Sequence, residues 1–262
     1  NDGIDYINLT NSSSLFGSIR TGEVDVLLSN SMEDIQSLSL SKLVQKGKLR
    51  EGKGPAIEIG YITFRSDVEP LNNLLIRKAL AHSINRDLIS EKVSFGLRQP
   101  LRSIIPREIK KEKTTPWPKY NPNLARDLFK KTGYCSNKKL TLPLTFRSNV
   151  PADKLLALIW KEQVKKDLSD CLIIKPEGIE STTIYKQLSK GSYTAVILDW
   201  TGDYPDAEAY LSPLLKCKNF SNKACTEGDA VFSGSFWSLP EIQLSLKESE
   251  KLIGVERLNK LK

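Results

Sequence analysis

The stretch from Leu140 to Leu198 restricts the possible folds of this chain more than any other. Leu140, Leu142, Leu144 and Phe146 recur at every second position, the period of a strand with one buried face. Residues 153–168 then read as a helix, with Leu155, Leu158, Ile159 and Leu168 expected to point inward. Residues 171–175 read as a second strand, residues 181–189 as a short helix, and residues 193–198 as a third strand. That last strand is apolar at successive positions, so it is expected inside a sheet rather than at its edge. Strand, helix, strand, helix, strand is an α/β layer arrangement, in which ligands are expected beyond the carboxyl ends of the strands. The segment that falls there is DWTGDYPD, residues 199–206, which concentrates three carboxylates and two aromatic rings.

The remainder of the chain fits around this run. Residues 4–9 are a short strand candidate, a Ser-rich turn can cap a helix starting near Leu15, Gly22 supplies a turn, and residues 24–28 read as a strand. Residues 46–55 hold Gly47, Gly52 and Gly54 among charges and are the best candidate for a domain boundary. Residues 57–64 alternate as a strand. After Pro70 a helix is expected, with Leu75, Ala79 and Leu80 on one stripe that Ile84 and Leu88 continue, and with Gly96 beyond its end. Residues 97–119, with Pro100, Pro106, Pro116 and Pro118, should form an extended loop. Asn121-Pro122 starts another helix with a capping side chain followed by proline, and Gly133 ends it.

Composition narrows the function classes. With 262 residues the chain can bury a sizeable core, and no apolar run approaches the roughly 20 residues that span a bilayer. The first ten residues, NDGIDYINLT, show neither the basic nor the apolar region of a secretory signal. The net charge of +8 permits an acidic partner, but the basic residues are scattered, the densest run being Lys110-Lys111-Glu112-Lys113. No aromatic-interleaved basic motif is present, so nucleic acid is not expected as a partner and the charge reads as a solvated face. Four cysteines, Cys135, Cys171, Cys217 and Cys225, allow three pairings and show no CxxC spacing. Cys135 and Cys171 each precede a strand that can neighbour the other, and Cys217 and Cys225 bracket a short polar loop. Two disulfides fit an oxidising compartment, and four buried free thiols remain the alternative. A lone histidine, His82, with no nucleophile motif nearby reads as a surface or packed side chain, so neither a metal nor a cofactor is expected.

Several segments, taken in order, resemble the extracytoplasmic solute-binding proteins of ABC importers, in the family that binds oligopeptides, dipeptides and nickel complexes. The segment SLFGSIRTGEVDV, ending at Val26, resembles that family's helix followed by Gly-Glu-hydrophobic-Asp. Tyr61-Ile-Thr-Phe64, Pro70 and Ile76-Arg77-Lys-Ala79-Leu80 are similar to its VRxAL helix, and Ile84-Asn85-Arg86, Gly96, Pro100 and Pro106 continue the pattern. Tyr120-Asn-Pro122, Ala125, Leu128 and Gly133-Tyr134 match a further element, and residues 193–205 match a strand ending in Trp, two residues, Asp and a turn. The sequence departs from the family at Arg65, where Asn is frequent, and at Asn85, where Asp is usual.

The resemblance implies a periplasmic-binding-protein-like (type II) lobe, a mixed sheet flanked by helices, within an incomplete two-lobe architecture. Residues 1–58 would be the closing piece of lobe one and residues 59–262 most of lobe two, truncated at its C-terminal end. It also implies a binding subunit rather than an enzyme, periplasmic or otherwise extracytoplasmic, with a missing N-terminal segment as a possible membrane anchor. Its partners would be a peptide or other small solute and the transmembrane subunits of an ABC permease, and the full-length protein would be monomeric. Asp203 falls where peptide-binding members pair an aspartate with the ligand's terminal ammonium, and Trp200 and Tyr204 would supply flat walls beside it. Asp206, before Ala-Glu-Ala-Tyr-Leu, reads as a helix N-cap, and Asp199 as part of the strand end. Other solutes, namely a nickel chelate, an oligosaccharide or an opine, fit the same role, whereas a hydrolase using Asp203 and Asp206 as paired carboxylates is a distant alternative.

Overall fold

The computed structural model describes residues 3–9, 11–28, 32–109, 117–221 and 224–261. The basic run at 110–113 and Pro116 lie outside the described residues. The chain divides into two compact units, the first formed by residues 1–54 with 90–98 and the second by residues 55–89 with 99–262.

The first unit contains α1 (Ser12–Thr21) and α2 (Asp34–Gln45). Both are specified locally. The Asn11 side chain accepts from the Ser14 backbone N–H at 2.8 Å, and Gly22 closes α1 in the left-handed region at φ 77°. Glu33 and Gln36 form a reciprocal capping box at the start of α2. The strands expected at 4–9 and 24–28 are not formed. In those segments Ile4, Tyr6, Ile7, Val26 and Leu28 are exposed, Leu28 at 86%. A strand needs a neighbour to pair its backbone, and the first unit has no strand among its described residues. None of the described residues of the first unit is a buried hydrophobic; Ser18 and Ser94 are its buried side chains.

The second unit is built on a four-stranded sheet. In chain order its leading elements are β1 (Glu58–Phe64), α3 (Leu74–Ser83), α4 (Arg86–Ser94, whose last turn belongs to the first unit) and α5 (Pro122–Lys131). Then follow β2 (Leu140–Arg147), α6 (Pro151–Asp167), β3 (Leu172–Ile179), α7 (Ser181–Leu188) and β4 (Ala195–Thr201). The chain closes with α8 (Glu208–Leu215), β5 (Asn219–Ser221), β6 (Ala224–Glu227), α9 (Asp229–Phe232), α10 (Pro240–Ser249) and α11 (Gly254–Lys260). The strand order is β1-β4-β2-β3, with β2 parallel to both β3 and β4 and with β1 antiparallel to β4. The expected α/β sheet of mixed direction is therefore present, and β4 is internal. Ala195 and Ile197 enter the main core on one face, while Val196 and Leu198 pack with Ile184 and Leu188 of α7 on the other.

The main core joins one face of β2, β3 and β4 to α3, α5 and α6. The helix expected after Pro70 is divided in two by Ile84 and Asn85, and Asn85 caps α4 by accepting from the Leu88 N–H at 3.0 Å. Leu75 is 37% exposed, and Ile76 takes the inward position instead. On α6 the inward face differs from the expected one: Ala157, Trp160, Gln163 and Val164 are buried, whereas Leu155 and Leu158 are exposed. Trp160, the largest side chain on the helix, sets the phase, and its indole N–H finds a buried partner in Ser83 Oγ at 3.1 Å. Pairing of the cysteines is Cys135 with Cys171 and Cys217 with Cys225, and no free cysteine remains. The first bond ties the end of α5 to the start of β3, and the second closes the loop around the β5–β6 hairpin. His82 is a packed side chain, its Nδ1 at 2.7 Å from the Lys119 carbonyl oxygen. Among the described residues no helix is long and apolar enough to cross a membrane.

Candidate functional site

β2 stops three residues short of the end of its parallel neighbour β4. Thr145 is level with Val196, so Arg147, the last residue of β2, stands beside the last stretch of β4, whose final residues are Asp199, Trp200 and Thr201. Antiparallel β1 closes the other side, with Tyr61 opposite Leu198, Gly60 opposite Asp199 and Ile59 opposite Trp200. A Cβ added to Gly60 would meet nothing within 4 Å, so the space facing that strand position is open.

Arg147 organises this end of the sheet. It is 6% exposed, and its guanidinium is shared between two carboxylates. Nε and Nη2 donate to Asp153 in the first turn of α6 at 2.7 and 3.0 Å, and Nη1 lies 2.7 Å from Asp199 Oδ1. Nη1 also approaches the Tyr185 hydroxyl of α7 at 3.4 Å. Burial opposes the guanidinium charge, but the hydrogen bonds and charges of Asp153 and Asp199 outweigh it and raise the Arg147 pKa above its ordinary value. Tyr61 is held neutral beside them, its pKa raised by burial and then by Tyr185 and Asp199. The Arg147 side of this cluster was missed in the sequence. Its only trace there is an arginine closing an apolar strand, six residues before an aspartate in a helix's first turn.

The turn after β4 divides into engaged and unengaged groups. Asp199 belongs to the strand end, as expected, and is half-buried with 38% of its side chain exposed. Trp200 is half-buried, packs on the cluster of Ile59, Ala209, Tyr210 and Leu214, and donates its indole N–H to the Ala209 carbonyl at 2.8 Å. Its polar edge is thereby spent within the fold. Gly202 is required by a close approach, because a Cβ there would sit 2.8 Å from the ring of Tyr210, a fully buried side chain. Tyr204 is 47% exposed and donates its hydroxyl to Glu208, which pushes its own pKa up. Burial disfavours the Glu208 carboxylate, but Tyr204, Ser212 and Arg257 overcome that and keep it below the usual carboxylate range. Asp206 caps the next helix from one position earlier than expected. It accepts from the Glu208 N–H at 2.8 Å, while Ala207 is the residue flanking α8, and it pairs with Arg257 at 3.2 Å.

Asp203 is the exception. It is exposed, and among the described residues it makes no hydrogen bond or ion pair. Asp199, Asp203 and Tyr204 are thus brought to the carboxyl end of β4 with surface to offer, while Asp206 is committed to the protein. A grouping with ligand-like atoms also occurs at Cys135, Asp170 and Cys171, within 4.8 Å of one another. There both sulfurs are spent in the disulfide, and Asp170 is paired with Arg126.

Comparisons with known proteins agree with one another. A family model described as bacterial extracellular solute-binding proteins, family 5 Middle, matches residues 1–222. The chain is 26% identical over 212 residues to heme-binding protein A of Haemophilus influenzae, covering 79% of this chain and 37% of that protein. It is 27% identical over 228 residues to the peptide transport periplasmic protein SapA of Salmonella typhimurium, covering 82% and 41%. Among solved structures it is similar to a dipeptide-binding protein from a Pseudoalteromonas species in complex with Met-Leu. There the TM-score is 0.75 at 25% identity, covering 96% of this chain and 47% of that one. The chain spans about two fifths of the length of the curated relatives it matches.

Proposed function

The chain belongs to the bacterial extracellular solute-binding proteins, family 5, and from that membership we propose that it is the capturing part of an ABC importer's binding subunit whose solute is an extended peptide. Asp203 pairs with the peptide's terminal ammonium, Tyr204 lines one side, and Trp200 braces the turn from beneath while presenting its half-buried ring. The observation that carries this reading is the unpartnered Asp203 carboxylate at the carboxyl end of an internal strand, flanked by aromatic residues. A carboxylate in that position gains strongly from a cation once a closing surface excludes water. Extended peptide backbone can add strand-like hydrogen bonds, and water in the pockets leaves side-chain selection loose.

Residues 1–58 are the closing piece of lobe one in this reading, and residues 59–262 belong to lobe two. Support comes from the division near residue 54 and from the lack of buried hydrophobics in the described part of the first unit. The two lobes close as a hinge on the solute, and the closed form is delivered to the permease's transmembrane subunits. The site is read as one that binds: in the paired-carboxylate alternative Asp206 would act while its Oδ1 accepts from the Glu208 N–H and pairs with Arg257. The two disulfides accord with a periplasmic location.

Calorimetry of the intact protein against a library of di- to oligopeptides tests the reading, and binding by at least one class is expected. Asp203→Asn should weaken peptides with a free amino terminus by about tenfold or more, the loss of a charged hydrogen bond. N-acetylated peptides should bind about equally poorly to both forms. Unchanged affinity in the variant would refute the ammonium role, and no binding across the library would refute the peptide assignment.

A further inference from the structure

The charges around Arg147 do not cancel. One guanidinium faces two carboxylates, Asp153 and Asp199. Asp153 is buried, with 8% of its side chain exposed, and it takes both Nε and Nη2 in a bidentate pair. That pair is complete in itself. Asp199 receives only Nη1, through Oδ1, and among the described residues no hydrogen bond reaches its Oδ2. It is also the member of the triad that reaches the surface. The two tyrosines at the cluster add no positive charge: Tyr61 stays neutral, and Tyr185 meets it through its hydroxyl. Burying a guanidinium is costly, and buried ion pairs are often replaceable by hydrophobic residues of the same shape without loss of stability. What the triad achieves is a carboxylate held in one orientation at the end of β4, four residues before Asp203.

We propose that Asp199 is a specificity-determining residue that takes a second cation of the solute, with Arg147 as the residue that positions it. This rests on the peptide-binding reading of the same lip and adds to it the substrate class: peptides that carry a basic side chain near the amino terminus. The α-ammonium goes to Asp203 and the side-chain cation to Asp199. The two exposed tyrosines of this end, Tyr185 at 50% and Tyr204 at 47%, offer ring faces to the alkyl stem and to the cation itself. Arg147 is 6% exposed and already turns Nε, Nη1 and Nη2 to protein acceptors, so an acidic side chain in the same place would meet the Asp199 carboxylate with no exposed cation beside it. The selection is therefore for positive over neutral and for neutral over negative.

The probes are the tripeptides Lys-Ala-Ala and Ala-Lys-Ala, each with its norleucine counterpart, which keeps the α-ammonium and the alkyl stem but lacks the side-chain charge. Titrated into the intact protein, at least one lysine peptide should bind about tenfold or more tightly than its norleucine twin. In Asp199→Asn, which keeps an oxygen for Arg147, that ratio should fall to about two or less. Asp199→Glu should restore a preference for lysine, and thermal melts of each variant report whether the fold is intact. A merely structural Asp199 would shift both members of a pair alike and leave their ratio unchanged, which would overturn the proposal. Norleucine peptides that bind as well as the lysine peptides in the unaltered protein would overturn it too, while leaving the peptide reading in place. Failure of all four to bind, with a wider library also silent, would remove the peptide reading and this inference together.

Discussion

Residues 1–54 with 90–98 and residues 55–89 with 99–262 are equally well supplied with helix signals, and they differ in what their helices bury. In the first unit α1 has a side-chain cap and a left-handed glycine stop, and α2 has a complete capping box. In the second, α6 has no side-chain cap hydrogen bond and yet carries the largest fully buried residue among those described, Trp160. Caps contribute on the order of 1 kcal/mol each, whereas burying one large side chain contributes a few times more. Helices of 10 and 12 residues are marginal on local signals alone, and the described residues of their own unit bury no hydrophobic side chain to support α1 and α2.

The largest effect expected from this contrast is at Trp160. Trp160→Ala leaves a cavity between α6, the sheet and α3, and removes the indole N–H from Ser83 Oγ, which keeps its own bond to the Leu80 carbonyl. A loss of about 3–5 kcal/mol is expected. Urea unfolding followed by fluorescence measures it, since all four tryptophans, Trp117, Trp160, Trp200 and Trp237, lie in the second unit and three remain in the variant. A loss under about 1 kcal/mol would break the contrast. Next in size is the Cys135–Cys171 bond, whose partners are 36 residues apart. Replacing both by serine should cost about 3–4 kcal/mol through the unfolded chain, and the same change at Cys217 and Cys225, 8 residues apart, about 2–3 kcal/mol. Equal effects for the two pairs would show that loop length is not what governs them.

The same contrast explains what the sequence revealed. The strand at 140–146 was legible from its alternation, those at 171–175 and 193–198 from short continuous apolar runs, and the helix start at Asn121-Pro122 because caps are local. The inward face of α6 was not legible. Its sequence is apolar on two sides, and only the position of Trp160 against Ser83 decides between them. Residues 4–9 and 24–28 carry strand residues but find no pairing partner among the described residues, and pattern alone cannot supply one. At the lip, the turn and its Asp203 were visible as a motif, and the capping duty of Asp206 was visible to within one residue. The triad of Arg147, Asp153 and Asp199 was hidden because its members are brought together only when β2 and β4 become neighbours.

The smallest effect, and the one that sharpens the contrast most, is expected at Leu28. At 86% exposure its side chain has almost nothing to lose, so Leu28→Ser in the chain described here should change the melting free energy by no more than about 0.5 kcal/mol. Val26→Ser, at 71% exposure, should behave alike. If residues 1–58 are the closing piece of lobe one, both side chains have a destination wherever the rest of that lobe is present, and a strand partner there would bury them on one face of a sheet. The same two substitutions made in a two-lobed form should then cost about 1.5–3 kcal/mol each, the value of a buried Val or Leu. Thermal or urea melts of both forms of the protein give the comparison directly. A cost near zero in both would mean that these residues stay exposed whatever accompanies them, and would remove residues 1–58 from lobe one. A cost above about 1 kcal/mol in the shorter chain would mean that the first unit buries Leu28 or Val26 on its own, and the difference between the two units would be one of degree.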